Sequence, residues 1–233
     1  MTRTVVIAGV GPGLGASLAR RFVDEDCQVA LFARSSDYVD VLADELGDAA
    51  IAVQVDVTDP GAVSEGFETV RDAFGPVDVL VNHASGGAWK GLEDISVDEF
   101  DDALAVSARG ALLCSQEAVG DMLDGDGGTV IFTGATSAVR GRDGAVGFSA
   151  GKFAARGMAE SMARELGPDG VHVAHVVIDG QIRPPDVAGR DTDGDADTYL
   201  DPDSIAAEYW HLVEQDRSSW TLELDVRPHV ENF

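Results

Sequence analysis

The chain has 233 residues, of which 45% are hydrophobic, which is enough to bury the core of one domain. It carries 42 Asp and Glu against 16 Lys and Arg, a formal net charge of −26, so neither nucleic acid nor an anionic membrane is an expected partner. The sequence shows no apolar run near the ~18 residues of a membrane span and no signal-peptide pattern, so we expect a cytoplasmic protein.

The acidic residues are spread over every segment, and the only lysines are Lys90 and Lys152. Repulsion among so many carboxylates destabilises a compact fold in dilute buffer, and salt screens it within ~3 Å at 1 M. This composition resembles that of proteins from extreme halophiles, whose cytoplasm is filled with salt. We therefore predict a halophilic archaeon as the source, the alternative being an acidic protein from ordinary salinity.

The first predicted unit is a strand, a glycine turn and a helix, within the sequence VVIAGVGPGLGASLA that begins at Val5. Gly9, Gly13 and Gly15 have the spacing G-x-x-x-G-x-G, which allows a sharp turn and close approach of backbone N–H groups to a phosphate. The following helix would present unpaired N–H groups and the positive end of its dipole. The pattern predicts a pyrophosphate site, and its alternative is an ordinary strand–turn–helix corner.

Apolar runs and amphipathic segments alternate along the rest of the chain. The predicted strands are Val5–Ala8, Val29–Phe32, Ile51–Val55, Val77–Val81, Thr129–Thr133, Val171–Ile178 and Leu222–Val226. The predicted helices include Ala16–Asp24, Val39–Leu46, Gly61–Phe74, Val97–Met122 and Phe148–Leu166. This alternation is typical of a parallel sheet covered on both faces by right-handed crossovers, so we predict one α/β domain over residues 1–233.

Two smaller features complete the pattern. The segment 184–202, which contains RDTDGDADTYLDP, is rich in Asp and Gly and predicts a mobile, lid-like loop beyond a strand end.

Cys27 and Cys114 both lie in apolar periodic segments, which favours two buried free thiols over a disulfide or a metal pair. No metal site is predicted.

Further landmarks follow the glycine turn in a fixed order. They are Asp56-Val57 after the third strand, Asn82-His83-Ala84-Ser85 after the fourth, Phe148-x-x-x-Lys152, and Asp179-Gly180 after the sixth. Together they resemble the short-chain dehydrogenase/reductase family over nearly the whole chain. The resemblance implies a Rossmann-type three-layer sandwich with a seven-stranded parallel sheet, and an oxidoreductase that uses NAD or NADP. It also implies a homotetramer or homodimer, paired through Val97–Met122, Phe148–Leu166 and the apolar end WTLELDVRP.

The resemblance also assigns cofactor contacts. Gly9, Gly13, Leu14 and Gly15 would form the pyrophosphate turn, and Asp56 and Val57 would border the adenine. Asn82 and Ala84 would border the adenosine ribose, Lys152 would hold the nicotinamide ribose, and Gly180 and Ile182 complete the set. Two alternatives stay open, because Asp56 could cap the following turn and Asn82 could tie two strands together.

The end of the second strand distinguishes the two cofactors. An acidic residue there accepts hydrogen bonds from the ribose 2′-OH of NAD, but this chain has Ala33, followed by Arg34 and Ser35. An arginine fork suits a 2′-phosphate, so we predict a preference for NADP over NAD. In the alternative, Arg34 is a solvated surface charge or pairs with Asp37.

In the family, Asn, Ser, Tyr and Lys relay a proton while a hydride passes between nicotinamide and a carbonyl. The corresponding positions here are Ser107, Ala135, Phe148 and Lys152, so only the lysine is retained. General acid catalysis contributes typically ~10²–10⁴-fold, so its loss leaves slow turnover unless another acid replaces it. The candidates are His83, Thr136, Ser137, Asp179 and Tyr199.

Two interpretations follow, and the resemblance is to an atypical branch with Phe in place of Tyr. In the first, the protein is an NAD(P)-dependent oxidoreductase of a small carbonyl or alcohol, with a degenerate active site. In the second, it is a catalytically inactive NADP(H)-binding or regulatory protein, since a lysine contact to ribose does not need the tyrosine.

Overall fold

The computed structural model describes residues 2–185 and 196–231, in which strands and helices alternate. The strands are β1 (Thr4–Ala8), β2 (Gln28–Ala33), β3 (Ala50–Gln54), β4 (Val79–Asn82), β5 (Gly128–Thr133), β6 (Val171–Ile178), β7 (Gln181–Ile182), β8 (Tyr199–Leu200) and β9 (Glu223–Val226). The helices are α1 (Leu14–Asp24), α2 (Ser36–Leu46), α3 (Pro60–Phe74), α4 (Val97–Leu104), α5 (Ala111–Asp124), α6 (Val146–Leu166) and α7 (Pro202–Val213). A π-helical segment, Ala105–Gly110, connects α4 directly to α5.

Seven strands form one parallel sheet in the order β3-β2-β1-β4-β5-β6-β9. The strand order reverses direction between β1 and β4, and in open α/β sheets ligands bind at the carboxyl ends of the strands beside such a switch point. The predicted seven-stranded sheet is confirmed, and each predicted strand is present with its ends shifted by two residues at most.

Helices cover both faces of the sheet, which confirms the three-layer sandwich. One core contains side chains of α1, α2 and α7, including the buried Leu18, Leu42 and Tyr209. The other contains side chains of α3, α5 and α6, including Phe67 and Met122. In the part of the chain that the structure describes, no helix is long and apolar enough to cross a membrane.

Helix α7 is absent from the predicted helices, although its signal is present in the sequence. Asp201 caps its N-terminus by accepting from the backbone N–H groups of Asp203 and Ser204, and Pro202 occupies the first turn. Ile205 and Tyr209 are buried one helical turn apart.

The predicted loop 184–202 is corrected at its end, because β8 lies within it and α7 begins at Pro202. Residues 186–195 of that prediction lie outside the described residues.

The two cysteines are buried and free, as predicted. Burial raises the pKa of the Cys27 thiol to about 11 and that of Cys114 to about 12, so both stay protonated at neutral pH. Such thiols carry little of the thiolate that acts as a nucleophile.

Candidate active site

The glycine turn after β1 depends on the absence of side chains at two positions. Gly9 has φ 102°, and a Cβ there would lie 2.5 Å from the backbone N and Cα of Ala84, so the ends of β1 and β4 approach closely. Gly13 also has a positive φ, of 103°, but a Cβ there would meet no atom within 4 Å. The turn is therefore tight on the side of the sheet and open on the side of solvent.

Helix α1 begins without a side-chain cap, and of its first three N–H groups that of Ala16 donates to the Gly11 carbonyl. Its N-cap is Gly13, which makes no side-chain capping bond, and its first turn contains no acidic residue. Uncapped N–H groups at the positive end of a helix dipole bind phosphate oxygens well. The residues present therefore fit the pyrophosphate of a dinucleotide.

A cavity of about 840 Å³ lies beside this turn, between the carboxyl ends of β1, β2 and β4 and the loop after β3. Its volume is in the usual range for sites that hold small molecules. Six predicted cofactor residues line it, namely Gly9, Arg34, Ser35, Asp56, Val57 and Ala84. Leu14 and Gly15 lie in the first turn of α1 and are not part of the cavity wall. Gly15 adjoins that wall, because a Cβ on it would lie 3.2 Å from Val10 Cα and 3.6 Å from His83 Cδ2.

Asp56 caps the turn after β3, which is one of the two roles left open for it, and it also lines the cavity. Its Oδ1 accepts from the backbone N–H of Thr58 at 2.9 Å and from the hydroxyl of Thr58 at 2.8 Å, so it caps the turn. These two hydrogen bonds hold the pKa of Asp56 below its usual value. The same residue lines the cavity and remains available as a charged acceptor there.

The side chain of Asn82 is hydrogen-bonded to helix α5 and, among the described residues, neither lines the cavity nor bonds to a neighbouring strand. Its Nδ2 donates to Ser115 Oγ at 3.1 Å, which ties β4 to α5 and not to a second strand, and its Oδ1 is buried without a partner in the described chain. It does not line the cavity.

Arg34 and Ser35 stand exposed at the edge of the cavity. Within the described residues Arg34 forms no ion pair, so the predicted alternative of pairing with Asp37 is not observed. Ser35 is the N-cap of α2, yet its side chain makes no capping bond. Among the described residues, the guanidinium of Arg34 is thus without an ion pair and the neighbouring Ser35 hydroxyl without a capping bond.

Lys152 lies in α6 and is 4% exposed. Its Nζ donates to the carbonyl oxygen of Thr133 at 2.7 Å and lies 5.7 Å from the centroid of the Phe148 ring. Burial lowers the pKa of Lys152 to about 8, because the charged form loses hydration. At neutral pH the ammonium remains mostly protonated.

The Phe148 ring has an aromatic neighbour that the sequence did not indicate. Trp89, in the loop after β4, stacks on it with ring centroids 4.5 Å apart and an interplanar angle of 26°. The guanidinium of Arg142 lies 6.0 Å from the Trp89 ring. The tyrosine position therefore presents an apolar stack with no hydroxyl.

Ser107 lies in the π-helical segment between α4 and α5 and is buried. Its Oγ accepts from the backbone N–H of Gly86 at 3.1 Å. The segment packs closely on α6, since a Cβ on Gly151 would lie 2.9 Å from Ser107 Cβ. Ser107 thus fixes the loop after β4, a structural role that its position in the family motif did not predict.

Ala135 precedes a short 3-10 turn, Thr136–Ala138, that follows β5. Thr136 Oγ1 donates to the buried Asp179 Oδ1 at 2.6 Å, and Asp179 also lies 3.5 Å from both Arg140 and Arg227. These groups satisfy one another, so Asp179 is committed to charge pairs.

The candidate replacement acids lie in three places: the second cavity, the buried interior and, for His83, the first cavity. Thr136, Asp179 and Tyr199 line a second cavity of about 520 Å³, which Gly180 also lines. Ser137 Oγ is buried and without a hydrogen-bond partner in the described chain. In the same described ranges, none of the five candidates hydrogen-bonds to Lys152, whose Nζ bonds to Thr133 O.

His83 lines the first cavity, and its Nδ1 lies 3.2 Å from Thr133 Oγ1. Burial, aided by the positive charge of Lys152, lowers the pKa of His83 to about 4. The imidazole is therefore mostly neutral at neutral pH, which disfavours His83 as the replacement acid.

Ile182 departs from the predicted cofactor set. It pairs with Leu200 between β7 and β8 and packs against the core that contains α7. It lines neither cavity.

Comparison with known proteins decides the family. The model of the family described as short chain dehydrogenase matches residues 3–187. The chain belongs to the short-chain dehydrogenase family. It is 33% identical over 171 residues to a 3-alpha-(or 20-beta)-hydroxysteroid dehydrogenase of Mycobacterium tuberculosis, a match that covers 73% of this chain and 66% of the relative. It is 27% identical over 230 residues to an uncharacterized oxidoreductase of Staphylococcus aureus, covering 97% of each.

Solved structures of the short-chain dehydrogenase family agree with this fold. An alcohol dehydrogenase of the archaeon Thermococcus sibiricus, complexed with 5-hydroxy-NADP, superposes with a TM-score of 0.87 at 25% identity over 100% of this chain and 99% of that one. A 3-ketoacyl-(acyl-carrier-protein) reductase of Brucella melitensis, complexed with NADH, gives 0.86 at 25% identity over 97% of each. Family and fold are those of NAD(P)-dependent oxidoreductases, as predicted.

Proposed function

We propose that this short-chain dehydrogenase binds NADP(H) in the larger cavity and transfers a hydride to or from a small carbonyl or alcohol. The observation that carries the proposal is the N-terminus of α1, which has no side-chain cap and no acidic residue in its first turn and adjoins two residues of the cavity wall, Val10 and His83. Arg34, which forms no ion pair among the described residues, lines the same cavity. The two features supply anion contacts for a pyrophosphate and for a 2′-phosphate.

Each part of the cavity has a role in this proposal. The backbone of Gly9, Gly13, Leu14 and Gly15 holds the pyrophosphate, Asp56, Val57 and Ala84 border the adenosine, and Arg34 with Ser35 binds the 2′-phosphate. Asn82 supports β4, and Gly180, which lines the second cavity, stands on the nicotinamide side. A bound nicotinamide supplies the hydride chemistry. Lys152, as a buried ammonium, orients the adjoining ribose through charged N–H donors.

The preference for NADP is tested by replacing Arg34. Arg34→Ala should weaken NADPH binding about tenfold or more and leave NADH binding nearly unchanged, because only the 2′-phosphate contacts the fork. Fluorescence titration of both cofactors measures this, with Arg164→Ala as the exposed-arginine control outside the cavity. Equal losses for NADPH and NADH would contradict the assignment.

A second function is favoured by one specific observation. Phe148 carries no hydroxyl and is stacked on Trp89, and Ala135 carries none either. These features suit a protein of the atypical Phe branch that binds NADP(H) without turnover. A screen of carbonyls with NADPH and of alcohols with NADP, in molar KCl, separates the two. Turnover that survives Lys152→Ala would show that the chemistry takes place elsewhere.

The surroundings in which the protein works are part of the proposal. We infer a salt-rich archaeal cytoplasm from the charge of −26. Melting temperature should rise steeply from dilute buffer to molar KCl as carboxylate repulsion is screened. A melting temperature that stays flat over this range would contradict the inference.

We propose a single domain over residues 1–233 that assembles as a homotetramer or homodimer. The support is an exposed apolar side chain on each of two long helices, Leu112 of α5 and Phe153 of α6, each 43% exposed. A closed two-fold contact can bury such faces against their own copies. Light scattering in high salt measures the assembly, and a clean monomer would refute it.

A further inference from the structure

His83 lies between the glycine turn and Lys152. It follows β4 directly, lines the larger cavity, and its Cδ2 is 3.6 Å from the position that a Cβ on Gly15 would occupy. On the other ring edge, Nδ1 lies 3.2 Å from Thr133 Oγ1. The ring edge that carries Nε2 is therefore turned away from Thr133, on the side of the first turn of α1.

A buried hydroxyl chain decides which ring nitrogen of His83 carries the proton. The hydroxyl of Tyr209 is fully buried and lies 2.9 Å from Thr133 Oγ1, its single hydrogen-bond partner in the described ranges. A buried O–H without an acceptor is costly, so Tyr209 must donate to Thr133. The hydroxyl hydrogen of Thr133 is then left for the next group in the chain.

That next group is His83 Nδ1, which accepts the Thr133 hydrogen. A neutral imidazole has one N–H donor and one acceptor, so acceptance at Nδ1 places the hydrogen on Nε2. If Nδ1 were instead the donor, the two hydroxyl hydrogens of Tyr209 and Thr133 would share one acceptor between them, and one of these buried O–H groups would have none in the described ranges. The chain from Tyr209 through Thr133 thus fixes the Nε2–H tautomer.

We propose that His83 is a cofactor-binding residue whose Nε2–H donates to the pyrophosphate of the bound dinucleotide. This inference rests on the proposed function, because it assigns a further contact in the same cavity. The low pKa of His83 keeps the ring uncharged and its donor in place over the working pH range. The neutral Nε2–H of His83 thus adds one hydrogen-bond donor to the backbone N–H groups of α1. Its charge does not change over the working pH range.

Two matched variants separate the ring nitrogens. His83→Asn keeps a polar atom near Nδ1 and has none near Nε2, whereas His83→Gln extends an amide N–H to about the position of Nε2. We expect His83→Asn to bind NADPH roughly ten- to a hundredfold more weakly and His83→Gln to recover most of that loss. Circular dichroism and melting temperature confirm that both variants fold.

A cofactor fragment locates the contact along the dinucleotide. Adenosine 2′-monophosphate has no pyrophosphate, so its affinity should be the same for the parent and His83→Asn. An equal loss for fragment and NADPH would place the contact at the adenosine end and overturn the inference. So would unchanged NADPH binding by His83→Asn, which would leave the proposed function intact.

Nuclear magnetic resonance of ¹⁵N-labelled histidine reads the tautomer without any cofactor. The parent should show Nε2–H for His83, and Thr133→Val should shift the tautomer balance because Nδ1 loses its donor. An Nδ1–H tautomer in the parent would overturn the inference independently of binding. A parent that binds neither NADPH nor NADH would overturn the proposed function and this inference together.

Discussion

The two ends of the candidate active site, one near α1 and one near α6, differ in whether their polar groups are hydrogen-bonded within the protein. At the end near α1, donors are left open, since the helix is uncapped and Arg34 has no ion pair among the described residues. At the end near α6, polar groups are paired within the protein or replaced, as Ser107 bonds to Gly86 and Phe148 stacks on Trp89. The polar groups near α1 are therefore open to a ligand, whereas those near α6 are used within the protein.

The largest expected effect comes from restoring the proton donor. Phe148→Tyr combined with Ala135→Ser places a phenol close to the Lys152 ammonium, which lies 5.7 Å from the present ring centroid. The positive charge favours the tyrosinate and lowers the tyrosine pKa towards working pH. Carbonyl reduction with NADPH should rise by about 10²-fold or more over the parent.

The control for this prediction is the single variant Ala135→Ser, which adds a hydroxyl without an acid and should stay near the parent rate. If the parent already reduces carbonyls as fast as the double variant, the end of the site near α6 does not lack a proton donor. The difference between the two ends would then be contradicted.

The next effect tests the tight side of the glycine turn. Gly9→Ala forces a Cβ to within 2.5 Å of the Ala84 backbone at φ 102°, whereas Gly11→Ala meets nothing within 4 Å. We expect Gly9→Ala to lower the free energy of unfolding by about 3 kcal/mol from strain and overpacking, and Gly11→Ala to leave it nearly unchanged. Denaturant unfolding at fixed KCl measures both, and equal values would show that the approach of β1 to β4 is not a constraint.

The smallest effect concerns Lys152, whose pKa falls from 10.5 to about 8 on burial. That shift costs about 3 kcal/mol of stability at neutral pH, offset in part by the bond to Thr133. Lys152→Met should therefore raise the free energy of unfolding by about 2 kcal/mol at pH 7 while weakening NADPH binding. A stable variant with unimpaired binding would remove Lys152 from the cofactor site.

The pH dependence has a definite sign. Between about pH 8 and pH 10.5 the folded parent has released the Lys152 proton and the unfolded chain retains it, so parent stability from this group rises with pH. The advantage of Lys152→Met should shrink over the same window. Lys90→Met serves as the control for stability, because Lys90 is exposed and paired with Glu99. A constant advantage from pH 7 to pH 10.5 would contradict the burial argument.

Local patterns were sufficient to predict the sheet and the glycine turn. Strand periodicity and glycine spacing depend on neighbouring residues, so β1 to β6 and the open end of α1 follow from them. The Trp89–Phe148 stack and the chain from Tyr209 to His83 join residues 59 and 126 positions apart, and no spacing in the sequence signals either contact. Asn82 and Ile182 differ from expectation for the same reason, since α5 and β8 determine their neighbours.

The acid-free first turn of α1 also has a kinetic consequence. A dinucleotide phosphate is polyanionic, and it must approach a protein with a charge of −26. Long-range repulsion slows such encounters and fades with ionic strength, whereas the local field of the helix end acts only at contact. Salt would thus set the association rate constant of NADPH, and the first turn of α1 would set its dissociation rate constant. The association rate constant should therefore increase with KCl concentration, whereas the dissociation rate constant should change little.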